Sequence, residues 1–224
     1  LMRAWCADAL DLAAYLAHGG FEAFAEARRI GPVGVIAALD ESGLTGRGGA
    51  AFPTGRKWEA VRNQPAAPHY LVCNADESEP GTFKDRALIE NDPYALIEAM
   101  MIAAHATGCE IGYIYIRGEY PRAHASLVSA LAACRDRGLV GGDSGFDITV
   151  VKGAGAYICG EETALFNSIE GYRGEPRNKP PFPFQVGLFG RPTVVNNVET
   201  LMKVPAIVQH RRVASRRLFC VSGA

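Results

Sequence analysis

Residues 70–86 read YLVCNADESEPGTFKDR and carry the clearest signal of the fold. The first four residues are apolar or aromatic, as in a buried strand, and the carboxylates Asp76, Glu77 and Glu79 follow closely. Crowded carboxylates are costly to bury unless donors or cations satisfy them. The proline and glycine that come next force a turn, so the acids lie on a loop at the carboxyl end of a strand, where open α/β sheets bind ligands. We therefore predict a ligand loop rather than a solvated acidic loop.

Two further apolar runs predict strands of the same sheet. Residues 111–116 and 146–151 have the near-continuous apolar character of parallel strands that are covered on both faces. Helical patterns separate the three strands, one around residues 92–107 and one over residues 120–137, which Gly138 ends as a favourable C-cap. The alternation predicts an α/β fold with a Rossmann-like, doubly wound, mostly parallel sheet flanked by helices.

The segment before the first strand predicts helices and a glycine-rich loop. Residues 21–29 and 32–39 have helical patterns, the second with a proline at a favourable early position. We therefore predict an N-terminal helical segment over residues 1–41, and an α/β domain over residues 42–210 that begins with the glycine-rich stretch.

The last third of the chain predicts two more helices and the beginning of a strand. Residues 161–166 and 196–201 have helical character, and an asparagine caps the second. The apolar run 218–222 is typical of a strand, and a strand without a partner leaves its backbone unpaired. We therefore expect residues 211–224 to be the truncated start of a following domain in a longer polypeptide.

The composition argues against several classes of protein. With 224 residues and a formal net charge of −1, the chain lacks the basic face of a general nucleic-acid binder. The most apolar run, residues 95–107, is too short to span a membrane, and the first five residues show no signal peptide. The scattered cysteines form no C-x-x-C pair, so we predict no metal site and mostly buried free thiols. They are Cys6, Cys73, Cys109, Cys134, Cys159 and Cys220.

Residues 46–51, GRGGAA, nominally fit the dinucleotide-binding pattern G-x-G-x-x-A, although no strand comes directly before them. Glycines let backbone N–H groups approach an anion, and Arg47 and Lys57 would supply charge and donors for a phosphate. We therefore favour an anion-binding loop, followed by a short helix that starts at Lys57, over a merely flexible loop. Phe52 has two possible roles: an aromatic lid over a planar ring, or a residue of the core.

A second glycine turn, residues 153–160, lies after a strand and before a helix whose first turn carries Glu161 and Glu162. A helix N-terminus favours negative charge. With both acids already there, we expect their carboxylates to face ribose hydroxyls or amides rather than a phosphate. Cys159 has no obvious histidine partner in the sequence, which favours a structural thiol over a nucleophile.

Taken together, these segments resemble the flavin-binding subunit of respiratory NADH:quinone oxidoreductase (complex I). The same module occurs in NAD-reducing hydrogenases and NAD-dependent formate dehydrogenases. Five motifs in the same order carry the resemblance, and they span residues 42–58, 74–86, 153–165, 179–183 and 196–201.

The resemblance implies that the α/β domain binds FMN and takes a hydride from NADH above it. Carried over by motif, the FMN contacts would be Gly46, Arg47, Gly48, Lys57, Asn74, Asp76, Glu77, Gly160, Glu161, Asn196, Asn197 and Thr200. The NADH contacts would be Phe52, Glu79, Glu162, Lys179 and Phe182. No side chain is expected to act as a catalytic acid or base, because the cofactor carries the chemistry.

The resemblance also implies a place in a larger complex. The expected protein is an NADH dehydrogenase subunit that passes electrons singly to iron–sulfur clusters, with a 2Fe–2S thioredoxin-like subunit as partner. Its 4Fe–4S cluster would lie beyond this chain, after a ubiquitin-like domain that residues 211–224 begin. The expected location is cytoplasmic or peripheral on the inner membrane face through partner subunits. One alternative is the diaphorase subunit of a formate dehydrogenase or hydrogenase that reduces NAD. A non-catalytic interaction subunit is less favoured, because every proposed flavin-contact segment is present.

Overall fold

The computed structural model describes residues 11–210 and 215–223. Its sheet has four parallel strands in the order β3-β2-β1-β4. They are β1 (His69–Ala75), β2 (Cys109–Ile116), β3 (Asp147–Lys152) and β4 (Thr193–Asn197). The three predicted strands are thereby confirmed, and the predicted parallel, Rossmann-like arrangement with them.

Eight α-helices accompany the sheet in the described residues. They are α1 (Leu12–Ala17), α2 (Glu22–Ser42), α3 (Thr54–Arg62), α4 (Lys84–Asn91), α5 (Pro93–Thr107), α6 (Pro121–Asp136), α7 (Glu162–Ile169) and α8 (Val198–Val208). The predictions for residues 92–107 and 120–137 are confirmed by α5 and α6. The two helices predicted over residues 21–29 and 32–39 are the two halves of α2, which Gly31 separates with φ 72° and ψ 169°.

Helices cover both faces of the sheet, so the doubly wound prediction is confirmed. On one face, alternate strand residues such as Leu71, Ile114 and Val194 pack into the large core that includes side chains of α2, α5, α6 and α8. On the other face, Val72 and Tyr115 pack with side chains of α7. Helix α2 contacts α5 and α8 directly, so the helical segment and the sheet share one core. The domain boundary at residues 41/42 remains a prediction.

Four sequence assignments of elements need correction. Strand β4 is absent from the predictions, and the last helix begins at Val198 instead of Asn196. Helix α4 was not expected, and α3 begins at Thr54, three residues before Lys57.

The strand predicted over residues 218–222 is wrong, because residues 215–223 contain no strand and the side chains of Phe219 and Val221 are 81% and 86% exposed. The predictions made for residues 1–5, Cys6 and residues 211–214 lie outside the described residues. Within the described ranges, no helix combines the length and apolar composition needed to span a bilayer.

Candidate functional site

The polar motifs meet at the carboxyl ends of β1 and β4. In the order β3-β2-β1-β4, the chain leaves β1 toward β2 on one side, while β4 lies on the other side. Such a reversal of strand order opens a crevice where α/β sheets bind ligands. Asn74 of β1 pairs with Asn197 of β4 in register. The crevice therefore begins at these two predicted site residues.

Strand β4 ends in two asparagines with different partners. The Asn196 side chain is buried, and its Oδ1 accepts a hydrogen bond from Trp58 Nε1 at 2.8 Å. Asn197 is the N-cap of α8, because its Oδ1 accepts from the Glu199 backbone N at 3.0 Å. Its Nδ2 donates to Asp85 Oδ2 at 2.6 Å. The predicted asparagine cap is confirmed. Asn197 holds the start of α8 both to the helix backbone, through Glu199, and to α4, through Asp85.

The glycine-rich loop lies over the N-terminus of α8. The Arg47 backbone N donates to Thr200 Oγ1 at 2.8 Å, and Gly46 N donates to Phe52 O at 2.9 Å. Gly48 approaches α8 so closely that a Cβ there would lie 3.2 Å from the Cβ of Asn197. Residues 46–48, 197 and 200, which the sequence predicts to share a site, are therefore neighbours. Phe52 is 51% exposed, so its alternative role as a core residue is wrong.

Lys57 projects from α3 toward the same crevice. Its Nζ donates to the carbonyl oxygen of Val195, in β4, at 3.0 Å. Burial lowers the pKa of Lys57, Glu162 raises it by its charge, and Lys179 adds to the lowering. The charges of Glu162 on α7 and Lys179 on the loop after it therefore affect the pKa of Lys57 on α3.

The acidic loop after β1 is tied to the second glycine turn. Asn74 Nδ2 donates to the carbonyl oxygen of Gly160 at 2.9 Å, and Asn74 Oδ1 accepts from Asp76 N at 3.1 Å. Ser78 Oγ donates to Asp76 Oδ2 at 2.9 Å. Burial raises the pKa of Asp76, against the hydrogen bond from Ser78. Asn74, Asp76 and Gly160 are therefore neighbours at the carboxyl end of β1.

The carboxylate of Glu77 is already engaged by the protein. It accepts hydrogen bonds from the backbone N of Asp85 at 2.9 Å and of Arg86 at 3.1 Å, which are in the first turn of α4. Tyr120 OH donates to it at 3.3 Å. Burial and the nearby Asp85 raise the pKa of Glu77, while the two backbone donors lower it. The side chain caps α4, a role that sequence reasoning missed because α4 itself was not predicted.

Glu161 and Glu162 form an ion cluster with Lys179. Lys179 Nζ donates to Glu161 Oε1 at 3.0 Å and to Glu162 Oε1 at 2.6 Å. Glu161 is also the N-cap of α7, where its Oε2 accepts from Thr163 N and Ala164 N. Burial opposes ionisation of Glu161, but the hydrogen bonds from Thr163, Ala164 and Lys179 outweigh it and lower its pKa. The two glutamates raise the pKa of Lys179 despite burial.

Tyr157 is a residue of this crevice that sequence reasoning missed. Its hydroxyl donates to Glu79 Oε2 at 2.7 Å, and its ring is 62% exposed. An aromatic residue inside the second glycine turn was the available signal. The neighbouring Cys159 is buried in the core beneath the turn, which agrees with a structural thiol. Phe182, in the loop after α7, is 47% exposed.

The donors and acceptors at this edge fit a phosphorylated flavin. Backbone N–H groups of the glycine loop, the N-terminus of α8, Arg47 and Lys57 provide a positive end. Asn74, Asp76 and Glu161 provide acceptors at the other end. Among the described residues, no group of three or more His, Cys, Asp or Glu side chains could hold a metal ion.

Comparison with known proteins gives a consistent picture. Residues 39–206 match the family described as the Nuo51 FMN-binding domain. The chain is 51% identical, over 93% of its length, to a subunit of the NADH-quinone oxidoreductase of Aquifex aeolicus, of which it covers 52%. It is 49% identical, over 87% of its length, to the HndC subunit of the NADP-reducing hydrogenase of Solidesulfovibrio fructosivorans, of which it covers 40%.

A solved structure has the same fold. A chain of an NAD⁺-reducing [NiFe]-hydrogenase in the air-oxidised state superposes with a TM-score of 0.77 at 40% identity. The match covers 89% of this chain and 34% of the hydrogenase chain. The chain thus spans about half the length of curated relatives such as the Aquifex protein, at 52%.

Proposed function

The chain belongs to the family of the Nuo51 FMN-binding domain, and from this premise we propose that it holds FMN in the crevice at the carboxyl edge of its sheet and presents it to NADH. The observation that carries the proposal is the packing of the glycine loop onto α8, through the hydrogen bond from Arg47 N to Thr200 Oγ1 at 2.8 Å. That contact joins two distant motifs into one anion-binding surface.

The phosphate of FMN would lie at this surface. A helix N-terminus favours an anion, the exposed glycines Gly48 and Gly49 let one approach the backbone closely, and the charges of Arg47 and Lys57 add to the attraction. Asn197 and Thr200 belong to the first turn of α8 and its cap. Their other bonds, to Glu199 N and Arg47 N, keep the turn in place before a ligand arrives.

The remaining flavin contacts would come from the opposite wall. Asn74 and Asp76 lie beside Gly160, and Glu161 follows at the start of α7. These groups can accept hydrogen bonds from ribityl hydroxyls and ring N–H groups. Glu77 would contribute through its position on the loop and its backbone, since its carboxylate caps α4.

NADH would enter over the exposed side chains of the crevice. Phe52, Phe182 and Tyr157 offer aromatic surface, each at least 47% exposed. Glu79, which accepts from the hydroxyl of Tyr157, lies on the same side. The cluster of Lys179 with Glu161 and Glu162 supplies one cation and two carboxylates for the phosphates and ribose of the dinucleotide.

When bound, FMN supplies the chemistry, because it accepts a hydride from nicotinamide and gives up electrons one at a time. The residues of the chain orient the two rings for stacking and keep water from the space between them. No proton needs to be moved by a side chain in this scheme.

In the larger assembly we infer an NADH dehydrogenase role, with electrons leaving through iron–sulfur clusters of neighbouring regions and of a 2Fe–2S thioredoxin-like subunit. Peripheral attachment to the cytoplasmic face of a membrane through such partners follows from that role. The similarity to the two hydrogenase proteins supports a second candidate, a diaphorase subunit that reduces NAD. The same crevice serves both directions of hydride transfer.

The test is NADH oxidation by the intact native protein with ferricyanide as acceptor, before and after removal of flavin. We expect activity that is lost with the flavin and restored by FMN. Riboflavin, which lacks the phosphate, should not restore it if the glycine loop binds that group. NADH oxidation that survives complete flavin removal would contradict the proposal.

A further inference from the structure

One half-buried arginine lies in the loop that carries the proposed nucleotide contacts. In residues 171–182, between α7 and β4, Gly174 and Arg177 are half-buried and every other residue is exposed. The loop has no regular structure, yet its Lys179 reaches Glu161 and Glu162 at the crevice. The groups that hold Arg177, two residues before Lys179, therefore influence where Lys179 lies.

The guanidinium of Arg177 joins the loop to α7 and to the returning chain. Its Nε and Nη2 donate to Asn167 Oδ1 at 2.9 and 2.7 Å, and Nη2 also donates to Glu170 Oε2 at 2.6 Å. Nη1 donates to the carbonyl oxygen of Gly187 at 3.2 Å. The guanidinium carbon lies 5.7 Å from the centre of the Phe166 ring. A planar fork of donors is suited to such a set of acceptors.

The partners of Arg177 hold other parts of the same loop. Asn167 Nδ2 donates to the carbonyl oxygen of Glu175 at 2.7 Å, and Glu170 Oε1 accepts from Phe189 N at 2.7 Å. Together, the side chains of Arg177, Asn167 and Glu170 therefore connect α7 with residues 175, 187 and 189 of the chain between α7 and β4. We name the side chains of Asn167, Glu170 and Arg177 the loop clamp.

The backbone of Arg177 leads directly to the nucleotide side of the crevice. Its N–H donates to Thr163 Oγ1 at 2.8 Å, and the same hydroxyl donates to Glu161 Oε2 at 2.5 Å. Glu161 Oε1 in turn accepts from Lys179 Nζ at 3.0 Å. A chain of hydrogen bonds through Thr163 and Glu161 therefore also links the backbone of Arg177 to the side chain of Lys179, two residues further along.

We propose that Arg177 is a positioning residue for the dinucleotide, which acts through Lys179 and touches neither ligand. The inference rests on the proposed function and deepens it. Without the clamp, the exposed loop would have to be ordered when the nucleotide binds, and that ordering weakens binding. We expect the contacts of Lys179 with the dinucleotide to be equally strong in the ground and transition states, and the loss of such uniform binding raises KM and leaves kcat unchanged.

The test is a double-mutant cycle with Arg177→Ala and Lys179→Ala in the intact native protein, assayed with NADH and ferricyanide. We expect Arg177→Ala to raise KM by about tenfold, with kcat and bound FMN unchanged. Because Arg177 acts through Lys179, the double variant should have the KM of Lys179→Ala alone. Additive effects on KM would overturn the inference.

Two further variants keep the test decisive. Arg173→Ala is the matched control, because Arg173 lies in the same loop but is 89% exposed and pairs only with Glu175 among the described residues. It should leave KM unchanged. Arg177→Lys keeps the charge but loses the fork, so it should raise KM in a stable protein.

If both substitutions of Arg177 release FMN and lower Tm while KM stays constant, the residue only supports the fold and the inference is wrong. A native protein that oxidises no NADH would overturn the proposed function itself, and the inference with it. An unchanged KM in Lys179→Ala alone would remove Lys179 from the nucleotide site and overturn the inference while FMN binding stands.

Discussion

Lys57 shows how the site uses charge at the scale of a single residue. Its ammonium is partly removed from water, yet its one described hydrogen bond goes to the neutral carbonyl of Val195. No carboxylate forms a salt bridge with it among the described residues. Burial lowers its pKa as a result, with Glu162 opposing from a distance. A cation held in this way is stabilised by an anionic ligand.

We therefore predict that Lys57→Ala weakens FMN binding. A charge-assisted hydrogen bond contributes about 1.5–3 kcal/mol, which corresponds to a loss of affinity of about tenfold or more. The measurement is titration of the flavin-free native protein with FMN, with circular dichroism to verify the fold. Arg56→Ala, an exposed cation on the same helix, is the control and should bind normally. An unaltered titration for Lys57→Ala would remove this residue from the site.

The pH dependence of the same titration provides a second test of the role of Lys57. Because the pKa of Lys57 is lowered from its ordinary value, its charge is lost earlier than that of a free lysine as the pH rises. FMN affinity should therefore fall as the pH rises through that lowered pKa. In Lys57→Arg the cation persists, since arginine stays protonated, and this fall should disappear.

Glu162 gives a prediction about the choice of nucleotide. Its carboxylate pairs with Lys179 at 2.6 Å, and a 2′-phosphate nearby would meet like charge. Glu162→Gln removes the repulsion and leaves Lys179 with one paired carboxylate, Glu161, instead of two, so more of its charge can attract the phosphate. The ratio of kcat/KM for NADPH over NADH should rise by about tenfold, the equivalent of about 1.4 kcal/mol.

The control for this prediction is Glu175→Gln, because Glu175 is 62% exposed and pairs with Arg173 only among the described residues. Its ratio should equal that of the native protein. If the ratio is unchanged in Glu162→Gln as well, Glu162 only complements the dipole of α7, and Glu79 becomes the residue to test. The similarity to a subunit named for NADP reduction makes this measurement informative.

At this scale the sequence reveals the identity of the site residues better than their partners. The resemblance assigns Asn74, Asp76 and Gly160 to one site because they belong to two of the shared motifs, and the structure brings these residues together. The bond from Tyr157 to Glu79 joins residues 78 positions apart, and no local pattern contains it. The capping of α4 by Glu77 is likewise a contact through space.

At the scale of elements, α2 depends on a buried carboxylate for its beginning. Its N-cap residue, Phe21, has φ 63° and makes no side-chain capping bond. Instead, Glu98 of α5 accepts from the backbone N of Phe24 at 3.0 Å and from the hydroxyl of Tyr15. Glu98 is fully buried. One side chain therefore attaches both N-terminal helices to the core.

We predict that Glu98→Ala destabilises the protein. The Phe24 N–H would lose the acceptor described for it and the Tyr15 hydroxyl would lose one partner, and an unsatisfied buried donor costs about 1–3 kcal/mol. Urea unfolding of the flavin-free protein measures the change in the free energy of unfolding. Glu98→Gln keeps an acceptor for Phe24 and should cost less. Equal stability of Glu98→Ala and the native protein would show that this attachment is unimportant.

Two elements escaped prediction for physical reasons. Strand β4 has only five residues, and the last two are asparagines, which are typical of turns and caps. Helix α4 begins after Phe83, which makes no side-chain capping bond, because its cap comes from Glu77 on the preceding loop. By contrast, α5 and α6 have clear apolar patterns, and a glycine follows the end of each helix. Signals within the sequence of each helix were therefore sufficient to predict it.

At the scale of the whole molecule, the arrangement of the sheet assembles the site. The glycine loop precedes β1 in sequence, while α8 follows β4, and their contact joins residues 153 positions apart. A sequence pattern can predict a parallel sheet, but the order β3-β2-β1-β4 depends on which strands pair across long loops. Because β4 lies beside β1, the motifs after the two strands become the two walls of one crevice.

The measurement that tests this account most directly is the identity of the flavin in the intact native protein. Denaturation should release a yellow, phosphorylated flavin without breaking a covalent bond. Mass spectrometry should identify it as FMN, at about one per chain, since one anion site at a helix N-terminus holds one phosphate. FAD in its place, or no bound flavin after incubation with FMN, would contradict the account.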